Sequence, residues 1–181
     1  GGETYNTSDT DISSRISSIT SKAQSNWDSM NKTSGRTYLW SDLASTSNSA
    51  DITSSYNRLK EMALAYNTRG SSLENNATLK TDIISGLDWM NTNRYYARTQ
   101  YSNWWDWEIG SPLALNDIVV LMYEHLTATQ RTNYMNAVNY FMPAVNDTGA
   151  NRVWKATVVG VRGVIVKDSA KLANARDGLS Q

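Results

Sequence analysis

The chain has 181 residues, a formal net charge of zero and no cysteine. Balanced charge supplies no whole-chain field to draw in nucleic acid or an anionic membrane, and the lack of cysteine excludes disulfides and thiolate chemistry. Seven Trp and ten Tyr stand against one Phe, so the aromatic content is biased towards rings with an apolar face and a polar tip.

No stretch approaches the ~20 consecutive apolar residues that a spanning helix needs. The opening Gly1-Gly2-Glu3-Thr4 has no basic and apolar leader pattern. An exported protein would be seen here after loss of its leader. The heavy Ser, Thr and Asn usage fits a secreted, extracellular bacterial protein.

Only Pro112 and Pro143 interrupt the chain, so most of it is free to be helical. From Asp9 to about Trp27, Ile12, Ile16 and Ile19 recur at helical spacing, and Gly35 lies in the polar break after it. A second helix is predicted to begin near Asn48 to Asp51, with Ser49 and Asp51 as capping candidates. It carries Ile52, Tyr56, Leu59, Met62, Ala63 and Tyr66 and stops before Gly70. The third runs from about Asn76 to Thr92 with Leu79, Ile83, Leu87 and Met90 on one face. The fourth is expected from Ser111 to Leu126, with Pro112 in its first turn. A short helix from Ala128 to Tyr140 is ended by Pro143. The last begins after Thr148-Gly149 and reaches about Arg176. Its β-branched middle, Val158 to Val166, has strand-like composition, but Val161, Ile165, Ser169 and Leu172 keep helical spacing. Asp177-Gly178 reads as its stop. The fold class is therefore all-α, built of helical hairpins without a sequence repeat. A bundle and part of a ring of hairpins satisfy this pattern equally.

The most unusual segment is Asn103-Trp104-Trp105-Asp106-Trp107-Glu108-Ile109-Gly110-Ser111-Pro112. Neighbours on a helix point about 100° apart, so Trp104 and Trp105 do not share one buried face. At least one is expected to be partly exposed. An exposed indole beside Asn, Asp or Glu suits a sugar, whose C–H face stacks while its hydroxyls hydrogen-bond. A packed aromatic corner is the alternative on these residues alone. Trp107 is assigned to the core.

That segment, continued through Leu113-Ala114-Leu115-Asn116-Asp117, resembles the signature of polysaccharide lyase family 8, which holds hyaluronate, chondroitin AC and xanthan lyases. Thr148-Gly149-Ala150-Asn151-Arg152 is a second match. The third is the run from Val158 to Asp168 with Lys171-Leu172-Ala173 and Ala175-Arg176, which resembles the xanthan-cleaving members more than the hyaluronan-cleaving ones. Arg36-Thr37-Tyr38-Leu39-Trp40 and the stretch from Arg58 to Ala65 agree with it.

The resemblance implies that residues 1–181 are the N-terminal part of an α/α toroid made of helical hairpins. The remainder of the toroid and the family's β-sandwich domains would lie outside this chain. It implies β-elimination at a glucuronic acid. For xanthan, this releases the terminal, often pyruvated, mannose of a side chain. The C5 proton of a uronate is weakly acidic, and its removal puts charge beside an existing carboxylate. An amide donor relieves that charge without adding a mobile proton. In the family an Asn does this, and Asn151 matches it. Trp104, Trp105 and Asn103 are the candidate substrate-binding residues. The family's proton-transferring Tyr and its His lie some way beyond that Asn, so the chain is expected to act only when joined to its remainder. No cofactor is expected. The expected partners are xanthan or a related uronate-containing polysaccharide and the rest of the same lyase, with neither nucleic acid nor membrane. A hyaluronan or chondroitin lyase of the same family, and a non-catalytic carbohydrate-binding helical module, are the alternative functions.

Five other readings carry less. His125, the single histidine, falls near a helix C-terminus where a cation is favoured, and is expected to be structural or solvent-facing. Asp106 and Glu108, two apart on a helix, diverge and do not form a paired-carboxylate hydrolase site. Asp106, Glu108 and His125 lack metal-ligand spacing. Arg162, inside an apolar stretch, needs a partner if buried. Val145 stands near the place where hyaluronan-type members carry a third aromatic, which argues against hyaluronan.

Overall fold

A computed structural model describes residues 9–143. The helix expected from Thr148-Gly149 to Arg176, with Asn151, Arg162 and Val145, lies outside the described residues.

Among the described residues five α-helices succeed one another: α1 Thr10–Ser29, α2 Ala50–Tyr66, α3 Ala77–Asn93, α4 Ser111–Met122 and α5 Ala128–Phe141. No strand occurs among the described residues. Among the described residues no helix is long and apolar enough to cross a membrane.

Caps set most of the boundaries. Asp9 accepts from the amides of Asp11 and Ile12 to start α1, and Asn76 accepts from Leu79 to start α3. Thr127 and Gln130 form a reciprocal capping box at α5. At α2 the expected cap works differently. Ser49 occupies the cap position but its hydroxyl makes no cap bond. Asn48 Oδ1 takes the Ala50 amide instead, and Asp51 accepts from the Ser45 amide.

α2 is the central element, packed by α1, α3 and α4, while α5 closes on α3 and α4. Its predicted apolar face is buried throughout: Ile52, Tyr56, Leu59, Met62, Ala63 and Tyr66. So is that of α3, with Leu79, Ile83, Leu87 and Met90. α1 is covered less, because Ile12, Ile16 and Ile19 are only half-buried and Ala23 alone is fully enclosed. Trp27 ties α1 to α3 through a 2.7 Å bond from its Nε1 to Asp82. The long α1–α2 connection is pinned by buried Leu39 and Trp40, with Trp40 Nε1 on the Asn26 carbonyl at 2.8 Å. Arg58 lies over the Trp40 ring and grips Asp42 with both terminal nitrogens at 2.8 and 2.6 Å. That grip holds the exposed Asp42 carboxyl below its usual range, chiefly through the hydrogen bond.

The fourth helix departs from the expected boundary. Helical structure begins at Trp104, widens into a π-turn over Asp106–Gly110 and only then becomes α4. It ends at Met122, and Tyr123–His125 form a 3₁₀ turn. Pro112 therefore sits within a continuous helical run rather than opening one. Its ring would crowd the carbonyl four residues back in a regular helix, and the wider π-turn gives it room.

Candidate functional site

The site is built around the start of this helical run. Ser102 has a positive φ of 67°, a costly conformation for a residue with a Cβ. It turns the chain so that Asn103 can cap the run that begins at Trp104. Asn103 Oδ1 accepts from the Trp105 amide at 3.0 Å, and the Asn103 amide donates to Ser49 Oγ at 3.0 Å. The candidate Asn103 thus has its side-chain oxygen committed to the cap.

Trp104 and Trp105 emerge from this first turn 42% and 41% exposed. The next residues point inwards. Trp107 is fully buried, its Nε1 donating to the Tyr101 carbonyl at 2.8 Å, and its ring packs on Tyr95, Tyr101 and Phe141. Of the three neighbouring indoles, two face outwards and one anchors the segment.

Beneath the exposed pair lies a buried polar chain. Asp106 is 5% exposed. Its Oδ2 accepts from Ser49 Oγ and its Oδ1 from Thr53 Oγ1, both at 2.7 Å. Thr53 Oγ1 also meets Ser111 Oγ at 2.9 Å. A threonine hydroxyl carries one proton, so with Thr53 donating to Asp106, Ser111 is the donor to Thr53. The carboxylate is paired with hydroxyls rather than with a cation, and it sits in the first helical turn, where the dipole favours an anion. Asp106 is thus a structural clamp between this turn and the first turn of α2. Glu108 points elsewhere and accepts from Gln100 Nε2 at 3.2 Å.

The π-turn leaves a second mark. Ser111 donates to the Asp106 carbonyl, five residues back. The next bond in that register would run from residue 112 to the Trp107 carbonyl, and proline has no N–H to give. The Tyr95 hydroxyl takes its place, donating to the Trp107 carbonyl at 2.6 Å. Tyr95 is fully buried, and burial pushes its phenol well above the usual range, so it remains a donor. Partial burial also raises the Tyr101 phenol.

His125 lies apart from these residues in sequence and surroundings. It is exposed, edge-on to Tyr66, with Nε2 3.4 Å from the Tyr66 hydroxyl.

The sequence picked out the exposed indoles but not the residues that hold them: Ser49, Thr53, Tyr95, Gly110 and Ser111. Gly110 carries a signal only once the helical run is traced back to Trp104, since a glycine inside a helical run asks for a packing reason. The hydroxyls had none, because the partners of Ser49, Thr53 and Ser111 are more than fifty residues away and that of Tyr95 is a backbone carbonyl twelve residues on.

The profile of polysaccharide lyase family 8, N-terminal alpha-helical domain, matches residues 1–181. The chain is 46% identical over 99% of its length to a xanthan lyase of Bacillus sp. (strain GL1), and covers 20% of that protein. It is 39% identical to a hyaluronate lyase of Thermasporomyces composti, over 81% of this chain and 19% of that one. Among solved structures, a Paenibacillus xanthan lyase superposes with a TM-score of 0.90 at 56% identity, covering 99% of this chain and 17% of that one. A Streptomyces coelicolor A3 chondroitin AC lyase superposes with a TM-score of 0.81 at 35% identity, covering 97% and 24%. The chain thus spans about a fifth of the length of the curated relatives it matches. The helical hairpins are part of the α/α toroid of these proteins, and the chain belongs to polysaccharide lyase family 8 as its N-terminal α-helical domain.

Proposed function

We propose that this chain is the substrate-holding part of a lyase toroid that cleaves xanthan side chains by β-elimination at glucuronic acid, releasing terminal, pyruvated mannose. The observation that carries this reading is the pair of exposed indoles, Trp104 and Trp105, raised on a buried clamp in a chain of this family. Its likeness to xanthan lyases, 46% and 56% identity across nearly the whole chain, exceeds its likeness to the hyaluronate and chondroitin enzymes.

In this reading the indoles stack on the sugar's C–H face and Asn103 contributes a hydrogen bond from its amide. Asn151 donates to the uronate carboxyl. The electrons of the C5–H bond then form the C4–C5 double bond, and the C4–O bond breaks with its pair. The C5 proton goes to a base and the leaving oxygen of mannose gains a proton. Donation by Asn151 favours the charge that builds on the carboxyl in the transition state more than the ground state, which is what accelerates the step. The base and acid are the family's Tyr and His, supplied by the remainder of the enzyme. The substrate is too large to be taken up intact, so the site of action is outside the cell.

The test is to incubate the complete protein with xanthan, pyruvate-free xanthan and hyaluronan, tracking the ultraviolet absorbance of an unsaturated uronate. Growth on xanthan is expected. Growth on hyaluronan alone would replace this substrate with the other one of the family. Oligosaccharide binding with no elimination on any of the three would make the chain part of a binding module.

A further inference from the structure

Gly110 has an ordinary helical φ of −60°, so its backbone does not call for glycine. Space does. A Cβ built there would overlap Cζ3 of Trp105 and would meet Thr53 Oγ1 at 2.9 Å and Cγ2 at 3.0 Å. Such distances are below van der Waals contact. Trp105 therefore lies directly on the backbone of Gly110, and Thr53 of α2 closes in from the other flank. In a regular helix the residue beneath position 105 would be Ile109. The π-turn adds a residue to the turn, which sends Ile109 into the core at 1% exposure and brings Gly110 under the indole instead. The same Thr53 is held by Asp106 and Ser111, so the floor under Trp105 is rigid.

We propose that Gly110 is a positioning residue for the substrate platform: the π-turn and the missing side chain at 110 together seat the Trp105 indole on the helix backbone and leave the rest of its surface open to stack on sugar. Any side chain at 110 lifts or swings the ring. The inference rests on the platform role given to Trp105 above.

The experiment compares Gly110→Ala, Trp105→Phe, Trp105→Ala and the Gly110→Ala/Trp105→Phe double variant in the complete protein, with xanthan as substrate. Phenylalanine lacks the outer ring atoms that overlap a Cβ at 110. Gly110→Ala is expected to raise KM about two- to tenfold, the range of one misplaced aromatic contact, with a smaller change in kcat. It is also expected to alter the tryptophan near-ultraviolet circular dichroism. The circular dichroism change should vanish and the KM effect should fall to a small remainder in the Trp105→Phe background, where a Cβ at 110 still meets Thr53. If Gly110→Ala alone does not fold, recovery of soluble, active protein in the double variant supports the seat. Failure of the double variant where Trp105→Phe folds overturns it. A KM raised by Trp105→Ala but untouched by Gly110→Ala overturns the inference and leaves the platform standing. Equal effects of Gly110→Ala in both backgrounds also overturn it. An unchanged KM in Trp105→Ala overturns the platform reading and this inference with it.

Discussion

The bond from Tyr95 to the Trp107 carbonyl offers a direct test of how the π-turn is held. Tyr95→Phe removes a 2.6 Å hydrogen bond between fully buried groups and keeps the ring that packs on Tyr56, Trp107 and Phe141. The carbonyl left behind has no amide donor in the π register, because residue 112 is proline. A buried acceptor stripped of its partner costs about 1–3 kcal/mol, or about 2–4 °C in Tm per kcal/mol for a domain of this size. Pro112→Ala supplies the missing N–H. Alone it loses the chain stiffness of proline, worth about 0.4–1 kcal/mol. In the Tyr95→Phe background it should recover most of the loss. If the turn stays π, the new amide reaches the Trp107 carbonyl. If the turn relaxes to α, the Ser111 amide does. Denaturant unfolding of the four proteins gives the double-mutant cycle, with a favourable coupling of about 1 kcal/mol or more expected between the two changes. Losses that add to within about 0.5 kcal/mol would refute the claim that Tyr95 stands in for an absent amide.

Three further outcomes are expected. Asn151→Ala in the complete protein should lower kcat by about 10²–10³, the cost of one lost donor to a developing anion, with little change in KM; unaltered turnover would remove the role given to it. Trp104→Ala or Trp105→Ala should raise KM about tenfold, near 1.4 kcal/mol, more than it lowers kcat, as measured by initial rates on xanthan. Burial pushes the phenols of Tyr56, Tyr95 and Tyr134 upward in the folded protein, Tyr134 also by donating to Asp88. The folded state keeps these protons while the unfolded chain releases them near pH ~10. Their contribution is thus present below that pH and is lost as the pH rises above it. A tyrosinate absorbance titration should show these three ionising only with unfolding, and reversible ionisation of all ten tyrosines near their ordinary pKa would contradict the burial.

The sequence alone determined the helical class, because apolar spacing and caps are local. The faces from Ile52 to Tyr66 and from Leu79 to Met90 could be read without knowing what covered them. Asp9 and Asn76 could likewise be placed at helix starts, since a cap bonds to an amide two or three residues away. The same locality made Trp104 and Trp105 stand out, as neighbours on a helix point about 100° apart and do not share one face. The tertiary structure decided everything that joins distant residues. It diverted Ser49 from its cap to the Asp106 carboxylate, and it gave the Trp107 carbonyl a phenol from twelve residues away. It also carried the fourth helix back through Pro112 to Trp104, since a π-turn wide enough for proline is stabilised by packing and not by any local propensity. A motif can name the residues that meet a ligand. The groups that hold them in place are chosen by whichever side chains the fold brings alongside.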